Sequence, residues 1–127
     1  MRVMLVEDDD FTRETIKSAL LRSGIEVVHD AADPKSAITF AREELIDVAV
    51  VDYNLGRGPN GIDVAQALAR IQPNLGFVLL TGFLNPELIQ ASMSALPEGS
   101  RYLLKQELQK IESLITEIEL AKKLGIN

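Results

Sequence analysis

The sequence has 127 residues, 46% of them hydrophobic and 25% charged, with a formal net charge of −6. That length suits one domain with one core, and the negative charge excludes a general basic surface for nucleic acid or anionic lipid. With no cysteine and one histidine, the chain can form neither disulfides nor a His/Cys metal cluster, and no apolar run is long enough for a signal peptide or a membrane span.

Short apolar runs alternate with amphipathic stretches along the whole chain. The apolar runs are rich in branched residues, as in buried strands, and the amphipathic stretches have apolar residues at helical spacing. In chain order the predicted elements are a strand at 2–7, a helix at 11–23, a strand at 25–29, a helix at 34–44, a strand at 46–52, a helix at 62–72, a strand at 76–81, a helix at 86–96, a strand at 101–105 and a helix at 107–124. This alternation predicts an α/β domain with a parallel sheet and helices on both faces.

Local signals mark where several helices begin. Asp33-Pro34 and Asn85-Pro86 each place a capping side chain before a proline at the first helical position. The segment GRGPNG (56–61) is a loop that precedes the third helix.

The first helix follows a run of four acids, LVEDDD (5–10). We expect Asp9 and Asp10 to cap this helix, where carboxylates accept backbone N–H bonds and favour the helix dipole. Four apolar residues share one face that we expect to pack on the sheet: Phe11, Ile16, Ala19 and Leu20.

Polar residues follow four of the five predicted strands at the point where each strand ends. They are Glu7 and Asp8 after the first strand, Asp52 after the third, Thr81 after the fourth and Lys105 after the fifth. Because the carboxyl ends of parallel strands meet at one edge of a sheet, we expect these side chains to converge in the crevice where the strand order reverses.

The charges in this group favour a metal ion. Two carboxylates about 5 Å apart repel by roughly 3 kcal/mol at an effective dielectric constant of about 20. Lys105 supplies one positive charge against three negative ones, and oxygen ligands suit a hard cation such as Mg2+. A metal, Lys105 and the Thr81 hydroxyl could together neutralise the oxygens of an incoming phosphoryl group, and a carboxylate nucleophile would form an acyl phosphate.

The motifs resemble those of the receiver domains of two-component response regulators. They are LVEDD (5–9), VVDYNL (50–55), LLTGF (79–83) and RYLLK (101–105), in that order. The resemblance covers essentially the whole chain. It implies a single receiver domain over 1–127, without an output domain, and a flavodoxin-like, doubly wound parallel sheet of five strands in the order 2-1-3-4-5 with five helices.

The resemblance implies that a sensor histidine kinase phosphorylates Asp52 in a Mg2+-dependent reaction. The transfer is self-catalysed onto the chain's own residue, so the protein is not expected to be an enzyme that turns over a substrate. By the same resemblance, Mg2+ is bound by Asp8, by the side chain of Asp52 and by the backbone carbonyl of Asn54, with Glu7 acting through water.

The resemblance also implies a conformational switch. Lys105 would pair with the phosphoryl oxygens, Thr81 would donate a hydrogen bond to them, and Tyr102 would turn inward after Thr81. The surface of the fourth helix, fifth strand and fifth helix would change, as expected of a two-state element biased by a dianion. Asn54 and Phe83 occupy positions that tune dephosphorylation in this family.

The expected partners follow from the same resemblance. They are a sensor histidine kinase and a second copy bound through the surface of the fourth helix, fifth strand and fifth helix. DNA would be contacted only through an output domain outside this chain, if the chain is the N-terminal part of a transcriptional regulator. We expect a cytoplasmic protein with no membrane contact.

Two positions depart from the family pattern. Gly56 and Gln106 stand where the family often has proline, so the cis bond that often accompanies the proline after the lysine is not assumed after Lys105.

Three alternative functions are compatible with parts of the sequence. The segment 8–12 fits the D-x-D-x-T pattern of haloacid-dehalogenase-like phosphatases, but no aspartate follows Asp63 to complete their metal site. A flavodoxin-like cofactor binder would need hydroxyls and amides, not acids, after the first strand. A receiver-like binding module that does not use phosphorylation is the third alternative.

Overall fold

The fold is known from a computed structural model, which describes residues 1–82 and 85–125, with side chains as far as Lys122. Phe83, and with it the prediction made for that residue, lies outside the described residues. Within the described ranges every peptide bond is trans, including the one that follows Lys105.

Five strands and five α-helices alternate along the chain as predicted. In chain order they are β1 (Arg2–Val6), α1 (Asp10–Arg22), β2 (Glu26–Ala31), α2 (Pro34–Ala41), β3 (Val48–Asp52), α3 (Gly61–Ile71), β4 (Gly76–Thr81), α4 (Pro86–Ser94), β5 (Arg101–Leu104) and α5 (Ile111–Gly125), with a 3-10 turn at Lys105–Gln109 between β5 and α5. Within the described residues, no helix is both long and apolar enough to cross a membrane.

The five strands form one parallel sheet in the order β2-β1-β3-β4-β5, which confirms the expected order. Successive side chains of a strand point to opposite faces, so the three central strands β1, β3 and β4 each contribute to two cores. Val48 and Val50 of β3 pack with α1 and α5, whereas Ala49 and Val51 pack with α2 and α3. The central position of β3 puts its last residue, Asp52, in the middle of the sheet edge.

The predicted helix caps are present. Asp33 accepts a hydrogen bond from the Ser36 N–H at 2.8 Å, and Asn85 accepts one from the Glu87 N–H at 2.8 Å. Each cap is followed by proline as the first helical residue. These caps satisfy backbone donors that a helix leaves unpaired, which fixes where α2 and α4 begin.

Two predictions about the helices were wrong. Phe11 does not face the sheet: it is 81% exposed, whereas Ile16 and Leu20 of the same helix are buried. The fifth helix begins at Ile111 rather than at 107, because 105–109 forms a 3-10 turn in which the Leu104 N–H donates to the Glu107 carboxylate at 3.2 Å. The apolar spacing of this segment is compatible with either helix, so the sequence pattern did not separate them.

Candidate functional site

The site begins where β1 ends. Glu7 extends β1 by one backbone bond, since its N–H donates to the carbonyl of Ala31 at 3.0 Å. Its side chain is 1% exposed, whereas the neighbouring Asp8 is exposed. The turn between β1 and α1 therefore carries one buried carboxylate, Glu7, and two exposed ones, Asp8 and Asp9.

Asp52 is the last residue of β3, and its carboxylate is held on both oxygens. Oδ1 accepts a hydrogen bond from the backbone N–H of Asn54 at 3.1 Å, and Oδ2 lies 2.6 Å from Nζ of Lys105. Asp52 is 1% exposed, whereas the Lys105 side chain is 39% exposed. The ion pair therefore joins a buried acid to a cation that reaches in from the surface.

Three carboxylates converge at this edge, as the sequence predicted. Glu7, Asp8 and Asp52 each offer an oxygen within 4.8 Å of the other two. Thr81, at the end of the neighbouring β4, is 1% exposed at the same edge.

The environment of Glu7 favours a protonated carboxyl group. Burial raises its pKa to about 8, with further contributions from hydrogen bonding and charge repulsion by Asp52. Oε1 accepts the Asp9 N–H at 3.2 Å, but Oε2 is buried and receives no hydrogen bond from the residues described. A protonated Glu7 can donate a hydrogen bond to the Asp52 carboxylate, so this hydrogen bond and the charge of Asp52 both raise the pKa of Glu7.

Lys105 is the cation that partly neutralises this cluster. Partial burial alone would lower its pKa, but the hydrogen bond to Asp52 and the charges of the surrounding acids outweigh burial and raise it. Lys105 therefore stays protonated at neutral pH. One positive charge still faces up to three negative ones.

These residues fit a hard divalent cation. The donors are carboxylate oxygens, one of them, Oε2 of Glu7, buried without a hydrogen-bond donor. Carboxylate oxygens are the ligands that Mg2+ prefers, and a bound cation would replace the missing donor and offset the repulsion.

A cavity of about 300 Å3 borders the carboxylate of Asp52. It is lined by Asp52, Tyr53, Asn54, Gly82 and Lys105. A Cβ atom on Gly82 would meet no atom within 4 Å, so this wall is open. The structure thus places Asn54 beside Asp52, while the role of its carbonyl as a metal ligand stays a prediction.

Tyr102 lies apart from the carboxylates. It pairs with Leu79 across the β4–β5 ladder, is 40% exposed, and lines a surface cavity with Arg101 and Glu117. Its side chain is therefore outward in this structure, while its role in a switch stays a prediction.

Of the two remaining acids, Asp9 caps α1 as predicted, whereas Asp10 is the first helical residue and accepts no backbone N–H among the described contacts. Asp9 accepts hydrogen bonds from the N–H and the hydroxyl of Thr12 at 2.8 and 2.7 Å, and these bonds lower its pKa. Asp10 pairs with Arg13 at 2.6 Å. In the D-x-D-x-T pattern, Thr12 is thus engaged in the helix cap and Asp10 in an ion pair with Arg13.

Two further residues shape the site and were not singled out from the sequence. A Cβ on Gly61 would overlap the carbonyl oxygen of Asp52, so only glycine lets α3 begin this close to the end of β3. Arg13 donates to the carbonyl of Glu7 at 2.8 Å. The sequence signal for Gly61 was its place in the GRGPNG loop, whereas Arg13 resembled any charged residue on a helix.

Comparison with known proteins gives one consistent family. The model of the response regulator receiver domain matches residues 3–119. The transcriptional regulatory protein PdtaR of Mycobacterium tuberculosis is 33% identical over 122 residues, which are 94% of this chain and 56% of that protein. The chain thus spans about half the length of that relative.

Two further similarities cover nearly the whole of both chains. The response regulator receiver protein CpdR of Brucella abortus is 30% identical over 93% of each chain. The N-terminal domain of a response regulator/sensory box/GGDEF three-domain protein from Carboxydothermus hydrogenoformans superposes with a TM-score of 0.81 and 26% identity, covering 97% of this chain and 94% of that one.

Proposed function

This chain belongs to the response regulator receiver domain family of two-component systems, and from that premise we propose that it is a Mg2+-dependent switch phosphorylated on Asp52. The observation that supports this proposal most is the buried carboxylate of Asp52, joined to Lys105 at 2.6 Å and accompanied by Glu7 and Asp8. Asp52 also borders a cavity of about 300 Å3, which provides room for a phosphoryl group.

The proposed reaction is phosphoryl transfer to the chain's own side chain. A carboxylate oxygen of Asp52 attacks phosphorus and forms a new P–O bond. With acetyl phosphate the P–O bond to the acetyl group breaks and acetate leaves as an anion; with a phosphohistidine the P–N bond breaks and the imidazole leaves neutral after taking up a proton. Bound Mg2+ would supply charge neutralisation for the transferring oxygens. Asp8, Asp52 and the Asn54 carbonyl would hold it, with Glu7 acting through water.

The chain's other residues would bind and sense the phosphoryl group. Lys105 exchanges its contact with Asp52 for one with the phosphoryl oxygens, and the Thr81 hydroxyl donates a hydrogen bond to them. Tyr102 then turns inward, which alters the surface of α4, β5 and α5. The chain is proposed to be modified once rather than to turn over substrate as an enzyme.

The proposed partners are a sensor histidine kinase and a second copy of the chain bound through α4, β5 and α5. Because PdtaR is named as a transcriptional regulatory protein and this chain spans 56% of it, a transcription-regulating output is one proposed role. CpdR, matched over 93% of its length, is the precedent for a receiver without that output. The proposal places the reaction in the cytoplasm.

Intact-mass measurement tests the proposal. Incubation with acetyl phosphate and Mg2+ should add one phosphoryl group to the wild-type chain, and Asp52→Asn or chelation of Mg2+ should abolish the addition. An unchanged mass of the wild type would favour the phosphorylation-independent binding module instead. Catalytic hydrolysis of a chromogenic phosphate ester would point to a phosphatase.

A further inference from the structure

One basic residue connects three segments around the turn that carries Glu7. Arg13 donates from Nη1 to the backbone carbonyl of Glu7 at 2.8 Å, pairs through Nη2 with Asp10 at 2.6 Å, and bonds through Nε to Asp30 of β2 at 3.3 Å. Its side chain is only 13% exposed. Arg13 therefore joins α1, β2 and the end of β1 from a largely buried position.

The backbone of Glu7 is fixed on both sides by these contacts. Its N–H donates to Ala31 of β2, and its carbonyl, which lies beyond the last residue of β1, accepts from Arg13. The turn carries Glu7 and Asp8 toward Asp52, where Asp8 and Asp52 repel as like charges and an ionised Glu7 would add to that repulsion. A turn under that repulsion keeps its geometry only if its backbone is tied to the scaffold.

We infer that Arg13 is a positioning residue for the Mg2+ site, acting through the carbonyl of Glu7 to hold Glu7 and Asp8 in register with Asp52. The inference rests on the proposed function, since it assigns Arg13 to the metal site that phosphorylation requires. Arginine suits the task because its planar guanidinium offers several donors in fixed directions, whereas lysine offers one compact charge.

The chain provides a matched control one helical turn away. Lys17 pairs through Nζ with the same Asp30, at 3.1 Å, and its side chain is 32% exposed. Removing Lys17 therefore weakens the link between α1 and β2 but leaves the bond between Arg13 and Glu7 in place. A difference in Mg2+ affinity between the two variants can therefore be assigned to the bond between Arg13 and Glu7 and not to a general loss of stability.

Calorimetric titration with Mg2+ tests the inference on the wild type, Arg13→Met and Lys17→Met. Residues that orient metal ligands typically change metal affinity by about 10- to 100-fold when they are replaced. We expect the Mg2+ dissociation constant of Arg13→Met to rise at least about tenfold, and that of Lys17→Met to stay near the wild-type value. Urea unfolding in the same buffer measures how much stability each variant loses.

Two further measurements separate positioning from a merely structural role. Amide hydrogen exchange in residues 7–10 should become faster in metal-free Arg13→Met and not in Lys17→Met. Saturating Mg2+ should return the phosphorylation rate of Arg13→Met to nearly the wild-type rate, because the variant's defect lies in metal binding. If Arg13→Met does not fold, Arg13→Lys keeps the charge beside Asp10 and Asp30, and several-fold weaker Mg2+ binding is expected.

The outcomes distinguish this inference from the proposed function. Wild-type Mg2+ affinity in folded Arg13→Met or Arg13→Lys, or an equal loss in Lys17→Met, would overturn the positioning role alone. A wild-type chain that binds no Mg2+ would overturn the proposed function, and the positioning role with it.

Discussion

Lys105 and Asp52, 53 positions apart in sequence, are joined by a 2.6 Å contact between Nζ and Oδ2. The acid is almost completely buried and the lysine is partly exposed, so the pair extends from the interior to the surface. A buried carboxylate is costly unless it is paired and hydrogen-bonded, and the Asn54 N–H supplies the second contact. The buried Asp52 carboxylate therefore has a partner on each of its two oxygens.

Replacing Lys105 should destabilise the metal-free fold and leave Mg2+ binding in place. In Lys105→Ala the Asp52 carboxylate loses its cation, and we expect a loss of about 1–2 kcal/mol, less than for a fully buried pair because the lysine is partly solvated. Saturating Mg2+ should restore part of that stability. Urea unfolding with and without Mg2+ measures both effects, and Lys35→Ala, at an exposed lysine, is the control. If Lys105→Ala and the wild type were equally stable without metal, the prediction would be contradicted.

Stability should fall as pH rises in the absence of metal, because of Glu7. Burial and the contact with Asp52 raise its folded-state pKa to about 8 from an ordinary value of 4.5. The folded state therefore keeps a proton that the unfolded state releases, so the stabilisation is complete below about pH 4.5 and is lost as pH rises through about 8.

Glu7→Gln removes this titration while keeping the shape of the side chain. The variant should be more stable than the wild type at pH 8.5 without metal, by an amount of the order of a few kcal/mol. Saturating Mg2+ should reverse the order, because the metal favours the ionised glutamate. The free energy of unfolding is measured with denaturant between about pH 4.5 and 8.5, and Glu43→Gln, at an exposed glutamate, is the control. If this free energy changed with pH in the same way in the wild type and in Glu7→Gln, Glu7 would not have this role.

Gly61→Ala should displace the backbone of Asp52 without replacing any charged side chain. Its Cβ would overlap the Asp52 carbonyl and lie 2.9 Å from Cα of Tyr53, and overpacking of this kind typically costs about 1–3 kcal/mol. Gly82→Ala is the matched control for stability, because a Cβ there meets nothing within 4 Å. Thermal unfolding of both variants decides; a Gly61→Ala protein as stable as Gly82→Ala would show that α3 can shift at no cost.

Two apolar residues of α1 should behave in opposite ways when truncated. Phe11→Ala should change stability by no more than about 0.5 kcal/mol, since Phe11 is 81% exposed. Leu20→Ala should cost about 2–5 kcal/mol, since Leu20 is completely buried. Urea unfolding gives both values, and a large loss in Phe11→Ala would mean that its ring is buried in solution.

The order of the elements and the convergence of the charged residues could be predicted from the sequence. Each strand is a short apolar run, and the residue type changes abruptly where a strand ends, so Asp52 and Lys105 could be placed at one edge without coordinates. β4 has the predicted bounds 76–81. The strand order came from the family resemblance and is confirmed.

The exposure of Phe11 could have been predicted and was missed: Phe11 lies nine positions before Leu20, and a rotation of about 100° per residue puts the two side chains on opposite sides of α1. Features that depend on three-dimensional distance, by contrast, could not be predicted. The clash that requires glycine at 61, and the reach of Arg13 to the Glu7 carbonyl, exist only after the strands are paired. The chemical roles of Glu7, Asp8, Asp52, Asn54, Thr81, Tyr102 and Lys105 stay predictions.

Because β3 is the central strand, the site can form only when the strands on both sides of it have folded. Asp52 is flanked by strands on both sides, and the groups around it come from the ends of β1, β4 and β5. No fragment that omits the last third of the chain would retain Lys105 or the strand that precedes it. If the chain binds metal as proposed, metal binding and the backbone circular dichroism signal should therefore be lost at the same temperature on heating, with no partly unfolded species that still binds metal.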